Sequence, residues 1–296
     1  MKYFIYKIVV KYFLKDCSDY NPLIVRQSCR SKQQARKAFK KLKIPYAKGD
    51  IFFNPFKVLS FVRKNGFPVV IKPNIGGFSR GAYFPITNLF QLVKASFAVK
   101  KWWFSSVIEE YLEGNNYRIV VVKEDIMTIA KRFPPFVIGD GINTISTLID
   151  IENKKRIEKK LLPILKAIPK NRKIKKYLKQ ANKTLSFIPK KSEQVFLYNK
   201  ISLNLGSSIE IISKNTLTKY NKQQLFKILD YFDANILGID VICQKELDID
   251  FNQQKCIFLE VNSRPYLKMH EYPRYGKKED LSYYFNNLKT TNAKTF

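Results

Sequence analysis

Neither GxxxxGK[ST] nor GxGxxG occurs anywhere in the 296 residues, so the two commonest phosphate-cradling fingerprints are absent. The four cysteines, Cys17, Cys29, Cys243 and Cys256, show no CxxC or other metal spacing. At this length a disulfide framework is not expected, and reduced thiols in a cytoplasmic protein are the default reading. No apolar run reaches the roughly 18 to 20 residues that span a bilayer. The start, MKYFIYKIVVKYFLKD, is interrupted by Lys7 and Lys11 and makes a poor signal peptide. A helix there would carry Lys7, Lys11 and Lys15 as a basic stripe, but its β-branched and aromatic content suits a strand equally well, and a membrane surface is not an expected partner. No internal repeat is visible. Acids are scarce: 24 against 54 lysines and arginines give a formal charge of +30. That balance favours anionic partners. The abundance of Lys, Asn, Ile, Phe and Tyr is also what an AT-biased genome produces, so the charge is weak evidence. With 45% hydrophobic and 14% aromatic residues the chain is a folded protein with a substantial core, long enough for one large domain or two lobes.

The stretch Ile236 to Pro265, ILGIDVICQKELDIDFNQQKCIFLEVNSRP, reads as a β-hairpin of two apolar strands around a polar turn. Each strand carries a carboxylate where burial is expected, Asp240 and Glu260. Buried carboxylates need compensation. Glu260 and Asn262 are two apart and share a face, and an antiparallel register can set Asp240 opposite Glu260. Two carboxylates and an amide oxygen would then form an all-oxygen set that suits Mg²⁺. A hairpin with solvated acids is the alternative.

Upstream, RSKQQARKAFKKLK (Arg30 to Lys43) has helical periodicity, with Ser31 as its N-cap and Ile44-Pro45 as its end. GFPVVIKPNIGGFSRGA (Gly66 to Ala82) reads as a short strand carrying Lys72 into a loop with Gly76, Gly77 and Gly81, where backbone N–H groups can approach phosphate. SVIEEYLEGNNYRIVVV (Ser106 to Val122) reads as strand, turn at Gly114-Asn115, strand. Ile126 to Phe136 adds a strand ending near Arg132, and Val137 to Ile149 a turn and a helix capped by Asn143 or Thr144. Ile151 to Lys191 is lysine-dense and helical in pattern, broken by Pro163, Pro169 and Pro189. It lacks the interleaved aromatics of a stacking surface and reads as a solvated insertion. Gln194 to Tyr198 reads as a strand, Leu205 to Ser208 as a loop, and Asn221 to Asn235 as an amphipathic helix.

In this order the pieces resemble the ATP-grasp superfamily of carboxylate-amine ligases, most of all cyanophycin synthetase and the ATP-grasp half of bifunctional glutathione synthetases. The resemblance runs from about Ser31 to Gly276. It rests on VIEEYLEGNNYR, RFPPFVIGDGINTISTLI and GIDVI…FLEVNSRPYLKMHEYPRYG. It implies an α+β fold in which two α/β subdomains with antiparallel sheets clasp ATP between them. The expected division is a short segment 1–26, an N-terminal subdomain 27–104 with a glycine-rich lid, and a C-terminal subdomain 105–290 containing the lysine-rich insertion 151–191. Too few residues precede Lys32 for a full preceding lobe, so a compact or stand-alone version is expected.

Residue by residue, the resemblance makes Lys32 and Lys72 the phosphate lysines, and Gly76, Gly77, Arg80 and Gly81 part of the lid. Glu109, Glu110, Tyr111 and Leu112 become the segment whose backbone reads adenine. Asp240, Glu260 and Asn262 become ligands for one or two Mg²⁺ ions, with Mn²⁺ a permitted substitute. Arg118 and Arg132 lie near the phosphates or the acyl phosphate. His270 follows Met269 as in the family's terminal MH, where a structural role is the commoner one for a lone histidine. Asn116 stands where the family has an acid for the ribose hydroxyls, Ser79 replaces a lid glycine, Tyr266 replaces a small residue, and ISLNLGSSIE (Ile201 to Glu210) departs from the substrate-side loop. The implied activity is ATP-dependent amide formation through an acyl phosphate, on carboxylate and amine substrates that are amino acids, peptides or peptide-like polymers, with acidic ones favoured by the positive charge. Nucleic acid is not an expected partner, and a homo-oligomer is compatible. The competing readings are a polyanion-binding protein on a nucleotide-binding scaffold and an ATP-binding domain without catalysis.

Overall fold

Ser31 starts the first long helix by the means its sequence announces. Its backbone is extended, its hydroxyl accepts from the Gln34 N–H at 3.2 Å, and Gln34 Oε1 accepts from the Ser31 N–H at 2.9 Å. This capping box satisfies two amides that the first turn leaves without helical partners. The computed structural model describes residues 20–75 and 81–292. Gly76, Gly77, Ser79, Arg80, Cys17 and the lysine stripe of the first fifteen residues lie outside the described residues.

The chain order is α1 (Leu23–Ser28), α2 (Lys32–Lys41), β1 (Gly49–Phe52), α3 (Lys57–Asn65), β2 (Val69–Pro73), β3 (Tyr83–Ile86), α4 (Leu89–Ala98) and β4 (Ser106–Glu110). There follow β5 (Asn115–Val122), β6 (Asp125–Phe133), β7 (Phe136–Ile138), α5 (Ile145–Glu158), α6 (Arg172–Gln180), β8 (Gln194–Phe196) and β9 (Ser208–Ile212). The last elements are α7 (Lys219–Tyr231), β10 (Ile236–Cys243), β11 (Cys256–Asn262), α8 (Lys268–Glu271) and α9 (Ser282–Asn292). A four-stranded sheet has the order β1-β4-β2-β3 and a five-stranded sheet the order β11-β10-β5-β6-β9, both antiparallel throughout; β7 and β8 make a separate ribbon. The fold is therefore α+β with antiparallel sheets, as the motifs imply.

Each sheet has its own core. Val69 and Ile71 of β2 pack with Phe52, Phe61, Leu92 and Ile108 in the smaller one. In the larger one Tyr117, Ile119, Leu237, Ile239, Val241 and Phe258 pack with Leu225 and Ile228 of α7 and with Ala35, Ala38 and Phe39 of α2. The strand-turn-strand over Ser106 to Val122 forms both strands, but not a hairpin: β4 joins the small sheet and β5 the large one, and the link between them passes from sheet to sheet. Gly114 sits on this link with Cys243 O only 2.5 Å from where a Cβ would be, so a side chain there would collide with β10 backbone. The expected loop over Leu205 to Ser208 gives way at Ser208 to the edge strand β9, which pairs with β6 from Ile129 to Phe133. In 151–191 the helical pattern is realised in the second half of α5 and in α6, with the proline-broken remainder irregular.

That irregular stretch is fastened by a buried arginine. Arg156 is fully buried and donates to Lys166 O (2.8 Å), Gly206 O (2.8 Å), Ser208 Oγ (3.0 Å) and Glu152 Oε1 (3.0 Å). Glu152 also takes two 2.8 Å bonds from Arg274. One guanidinium thus ties α5, the stretch after it and the 201–210 loop together. Arg156→Leu should destabilise the protein by about 3 kcal/mol, because it strands two buried carbonyls and half of the Glu152 compensation. Urea titration measures this, and a change below about 0.5 kcal/mol would show the network to be dispensable.

Candidate functional site

One face of the five-stranded sheet carries the polar residues, and strand alternation puts them there. In β5 Tyr117, Ile119 and Val121 enter the core with α2 and α7, so Asn116 and Arg118 point the other way. In β10 Ile239 and Val241 are on the core side and Asp240 on the polar one. Register then aligns them across strands. Asp240 lies opposite Glu260 of β11 on one side and Arg118 of β5 on the other, while Asn116 pairs with Arg132 of β6. The predicted Asp240–Glu260 juxtaposition is realised. The register shifts immediately afterwards, Val241 pairing with Phe258, so Leu259 is the extra residue of a β-bulge beside the acid pair.

Asp240 is buried and both its oxygens accept from guanidiniums. Arg118 donates through Nε to Oδ1 (2.7 Å) and through Nη2 to Oδ2 (2.8 Å), and Arg132 Nη2 lies 3.0 Å from Oδ2. Burial alone would raise the Asp240 pKa, but the two arginines more than offset it and hold the carboxyl well below the usual range. Arg132 Nε donates to Asn116 Oδ1 at 2.7 Å. The Asn116 amide is therefore engaged with an arginine. Glu260 is less tightly held: Lys32 Nζ is 3.7 Å from Oε2 and Arg118 Nη2 is 4.0 Å from Oε1.

The smaller sheet contributes a second pair. The alternation that buries Val69 and Ile71 turns Lys72 to the opposite face, where its Nζ meets Glu109 Oε2 of β4 at 2.5 Å. Glu109 is itself buried. Lys32, the first residue of α2, links the two pairs. Burial lowers its pKa, Glu260 and Glu109 pull it back up, and Lys72 pushes it down, so its ammonium feels groups of both sheets. Asn74 carries the backbone side of this link, its carbonyl accepting from the Lys32 N–H (3.2 Å) and its Oδ1 from the Gln33 N–H (3.3 Å). Lys32, Lys72, Arg118 and Arg132 thus face Asp240, Glu260 and Glu109, four cations against three carboxylates.

Two predicted residues stand at the rims. Asn262 donates through Nδ2 to Gly238 O at 3.4 Å, which leaves its Oδ1 for another partner. Gly81 has a φ of +67° and Trp102 Cδ1 lies 2.6 Å from where its Cβ would be, so glycine is required there. In the segment 109–112, the Glu110 N–H donates to Lys48 O (2.9 Å) and the Tyr111 N–H to Pro68 O (3.2 Å). Leu112 is buried with Ala47 and Ile257, and Ile242 and Leu259 pack against them. That apolar cluster adjoins the charged one, since Ile242 and Leu259 flank Asp240 and Glu260 in their strands.

Among the described residues no group of three or more His, Cys, Asp or Glu side chains could hold a metal ion. The oxygen set Asp240, Glu260 and Asn262 contains two carboxylates and one amide. Its chemistry fits a hard cation: Lys32 and Arg118 approach Glu260 only to 3.7 and 4.0 Å, Asn262 turns its amide nitrogen to the backbone, and Asp240 Oδ1, bonded to Arg118 Nε, has a second lone pair, whereas Oδ2 already receives both arginines.

No protein-family model matches the chain. It is 28% identical over 215 residues to the cyanophycin synthetase of Synechocystis sp., covering 71% of this chain and 24% of that one. The crystal structure of a bifunctional glutathione synthetase from Pasteurella multocida superposes on 92% of the chain and 38% of its own length, with a TM-score of 0.64 and 21% identity. The ATP-grasp ligase PsnB, solved with a minimal precursor, covers 92% of this chain and 63% of its own, with a TM-score of 0.52 and 12% identity. The chain has the ATP-grasp fold. The resemblance to cyanophycin synthetase and bifunctional glutathione synthetases read from the motifs is borne out, and the chain spans about a quarter of the length of the curated synthetase it matches.

Within this ATP-grasp fold, sequence reasoning missed several partners. Glu109 as the counterion of Lys72, Asn116 as the acceptor for Arg132, and the Glu152–Arg156–Arg274 group all pair across elements. Glu246 is another: it accepts from Lys131 Nζ (2.6 Å) and Asn115 Nδ2 (3.1 Å) and bonds the Tyr117 hydroxyl. Only Glu152 and Arg156 left a local signal, their i,i+4 spacing. His270, the chain's single histidine, is fully buried, with Nδ1 3.3 Å from Thr128 Oγ1 and Nε2 without a partner among the described residues.

Burial, with the Arg118 and Arg132 charges, pushes the His270 pKa down from 6.5 to about 3. Its folded value lies below the unfolded one, so the stability it confers is complete above pH 6.5 and is lost as pH falls from there toward 3. Wild-type protein should therefore lose about 1.4 kcal/mol per pH unit below that point from this group. His270→Gln should flatten that slope in urea melts between pH 7 and pH 5; an unchanged slope would refute the assignment.

Proposed function

We propose that the chain is an ATP-dependent carboxylate-amine ligase that makes an amide or peptide bond through an acyl phosphate. The observation that carries this reading is the convergence of Lys32, Arg118 and Arg132 on the Asp240–Glu260 pair, with the Lys72–Glu109 pair facing it from the other sheet. Phosphoryl transfer needs alignment and charge neutralisation more than covalent help, and this cluster supplies both.

In this reading Lys32 and Lys72 hold the ATP phosphates. The adenine lies against the Ala47, Leu112 and Ile257 cluster, and the rest of 109–112 reads its edge, since the Glu110 and Tyr111 amides are already bonded. Asp240, Glu260 and Asn262 would hold one or two Mg²⁺ ions, or Mn²⁺, whose contribution is to neutralise phosphate charge. The γ-phosphoryl group passes to a substrate carboxylate oxygen, releasing ADP. The amine then attacks the carbonyl carbon, phosphate leaves, and the amine loses a proton as the amide forms. No side-chain nucleophile is needed. Arg132 is held for this by Asn116 and Asp240, which spares it reorganisation as charge develops, and Arg118 is held likewise by Asp240. The lobe of the small sheet, which β4 joins, and the lobe of the large sheet, on which α2 packs, close on the nucleotide; the expected boundary between 104 and 105 thus moves, since α2 belongs with the large sheet and β4 with the small one.

The relatives point to amino acids, short peptides or peptide-like polymers as substrates. The 201–210 loop is one of the stretches whose sequence departs from the family pattern, and it is tied down by hydrogen bonds: Ser202 N–H donates to Ser207 Oγ at 2.6 Å, and Arg156 holds Gly206 and Ser208. Such a loop is a shaped wall and a source of specificity.

ADP release against a panel of amino acids and peptides, with product mass, tests the proposal directly. Glu260→Gln should abolish ADP formation with the thermal midpoint unchanged; near-normal turnover would remove the metal assignment. Lys72→Ala should weaken ATP binding by about tenfold or more, and unchanged affinity in an ATP titration would take it out of the site.

A further inference from the structure

From Ile51 to Ile108 the sequence contains no aspartate or glutamate, and it contains eight lysines and arginines. The structure places a set of exposed apolar side chains on this same stretch. α4 buries Leu92 and Ala95 in the small-sheet core and exposes Phe90, Val93 and Phe97 on its outer side. Phe56 stands edge-on to Phe97 at 5.9 Å, and Phe53 lies 5.8 Å from Phe104. Lys100 assembles the second pair, donating to Phe52 O (2.9 Å) and Phe104 O (2.7 Å). Phe90 is 77% exposed and Phe104 67% exposed. Six rings and branched side chains in water at one end of a lobe form an interaction surface.

Charge decides among occupants. Lys57, Lys94 and Lys101 are exposed and adjoin Phe56, Val93 and Trp102 in sequence, so the apolar surface has a cationic rim. A second copy of this lobe would bring cation against cation with no acid to relieve it. Single-stranded nucleic acid would need open ring faces, but Phe56 and Phe97 meet at an interplanar angle of 84° and stand beside aliphatic Val93. Protruding aromatic and aliphatic groups with lysines whose stems reach past them match the boundary of a bilayer with anionic headgroups.

We propose that this face of the small-sheet lobe docks the protein on an anionic lipid surface. Sequence alone gave no membrane partner, because periodicity does not tell which phenylalanines the fold leaves outside. Of the chain's two tryptophans, Trp103 lies at this surface, 5.9 Å from Phe104, so its emission reports on it without labelling.

The test uses the full chain with vesicles of phosphatidylcholine alone, the same vesicles with phosphatidylglycerol, and a single-stranded oligothymidylate. Co-sedimentation with the anionic vesicles and a shift of tryptophan emission to shorter wavelength are expected, with neither on neutral vesicles. The triple variant Phe90→Ser, Phe97→Ser, Phe104→Ser should lose vesicle binding by at least tenfold with its thermal midpoint retained. Lys94→Glu and Lys101→Glu, which leave the apolar groups intact, should each weaken binding about fivefold. No sedimentation with anionic vesicles overturns the proposal. So does undiminished binding of the triple variant, which would place the contact elsewhere in the chain, or an emission shift produced by the oligonucleotide and not by vesicles.

Discussion

A carboxylate buried in the middle of a sheet is the constraint on which the rest of this structure depends. Asp240 can stay ionised there only because Arg118 and Arg132 surround it, and those arginines can be buried only because Asp240 and Asn116 receive them. None of the members is tolerable alone. The group therefore dictates register: β10 must lie between β5 and β11, β6 must flank β5, and a slip of one residue would turn Asp240 into the apolar core and Ile239 into the charged cluster. The bulge at Leu259 falls next to the acid pair, where it lets Glu260 align with Asp240 while Phe258 and Cys256 still reach the core.

Around that fixed floor the protein brings in its second sheet by one residue and one helix. α2 packs its apolar side into the core of the five-stranded sheet, yet its first turn is bonded to Asn74 at the end of β2. Lys32 stands at that junction. Its ammonium is partly desolvated and shared among Glu260, Glu109 and Lys72, so the distance between the two sheets is also the distance over which these charges balance. On the other side Arg156 does for the 201–210 loop what Arg118 does for Asp240, with Glu152 and Arg274 as its surroundings.

What was legible in the sequence follows from range. The capping box at Ser31, the two strands around Asp240 and Glu260, and Lys72 on a strand are all encoded within a few residues, and each is found. The Asp240–Glu260 juxtaposition could be anticipated because two apolar strands joined by one polar connection are expected to pair antiparallel, which allows the two acids to meet. Glu109 was read only as part of a backbone segment, since its pairing with Lys72 joins strands 37 positions apart in order and needs the sheet to be known. Asn116, read as a stand-in for a ribose acid, bonds Arg132, a neighbour that only the β5–β6 register supplies. The strand β9 was hidden because its sequence begins inside a stretch whose glycine and serines signal a loop, while its pairing with β6 depends on the insertion folding back. The aromatic surface was hidden for the opposite reason. Hydrophobic side chains on α4 are equally compatible with burial on either side, and only the size of the small sheet decides how many it can cover.

The scarcity of acid then acquires a structural meaning. Glu109, Glu152, Asp240, Glu246 and Glu260 are all committed to cations at least partly withdrawn from water. Exposed lysines need no such partner, because water solvates them at little cost. With few acids available, Glu109, Asp240 and the largely buried Glu152 are placed where burial makes a counterion obligatory, and the surface is left with the surplus. That surplus is spread over most of the chain, which is what genome composition alone would produce. It is coupled to exposed aromatic groups in the segment from Ile51 to Ile108, where neither composition nor packing requires the combination. The positive charge of the site faces carboxylates that the fold withdraws from water; the positive charge of this lobe accompanies apolar surface the fold leaves open. Two physically different uses of one imbalance are thus separated between the cleft and the outer side of the same small sheet.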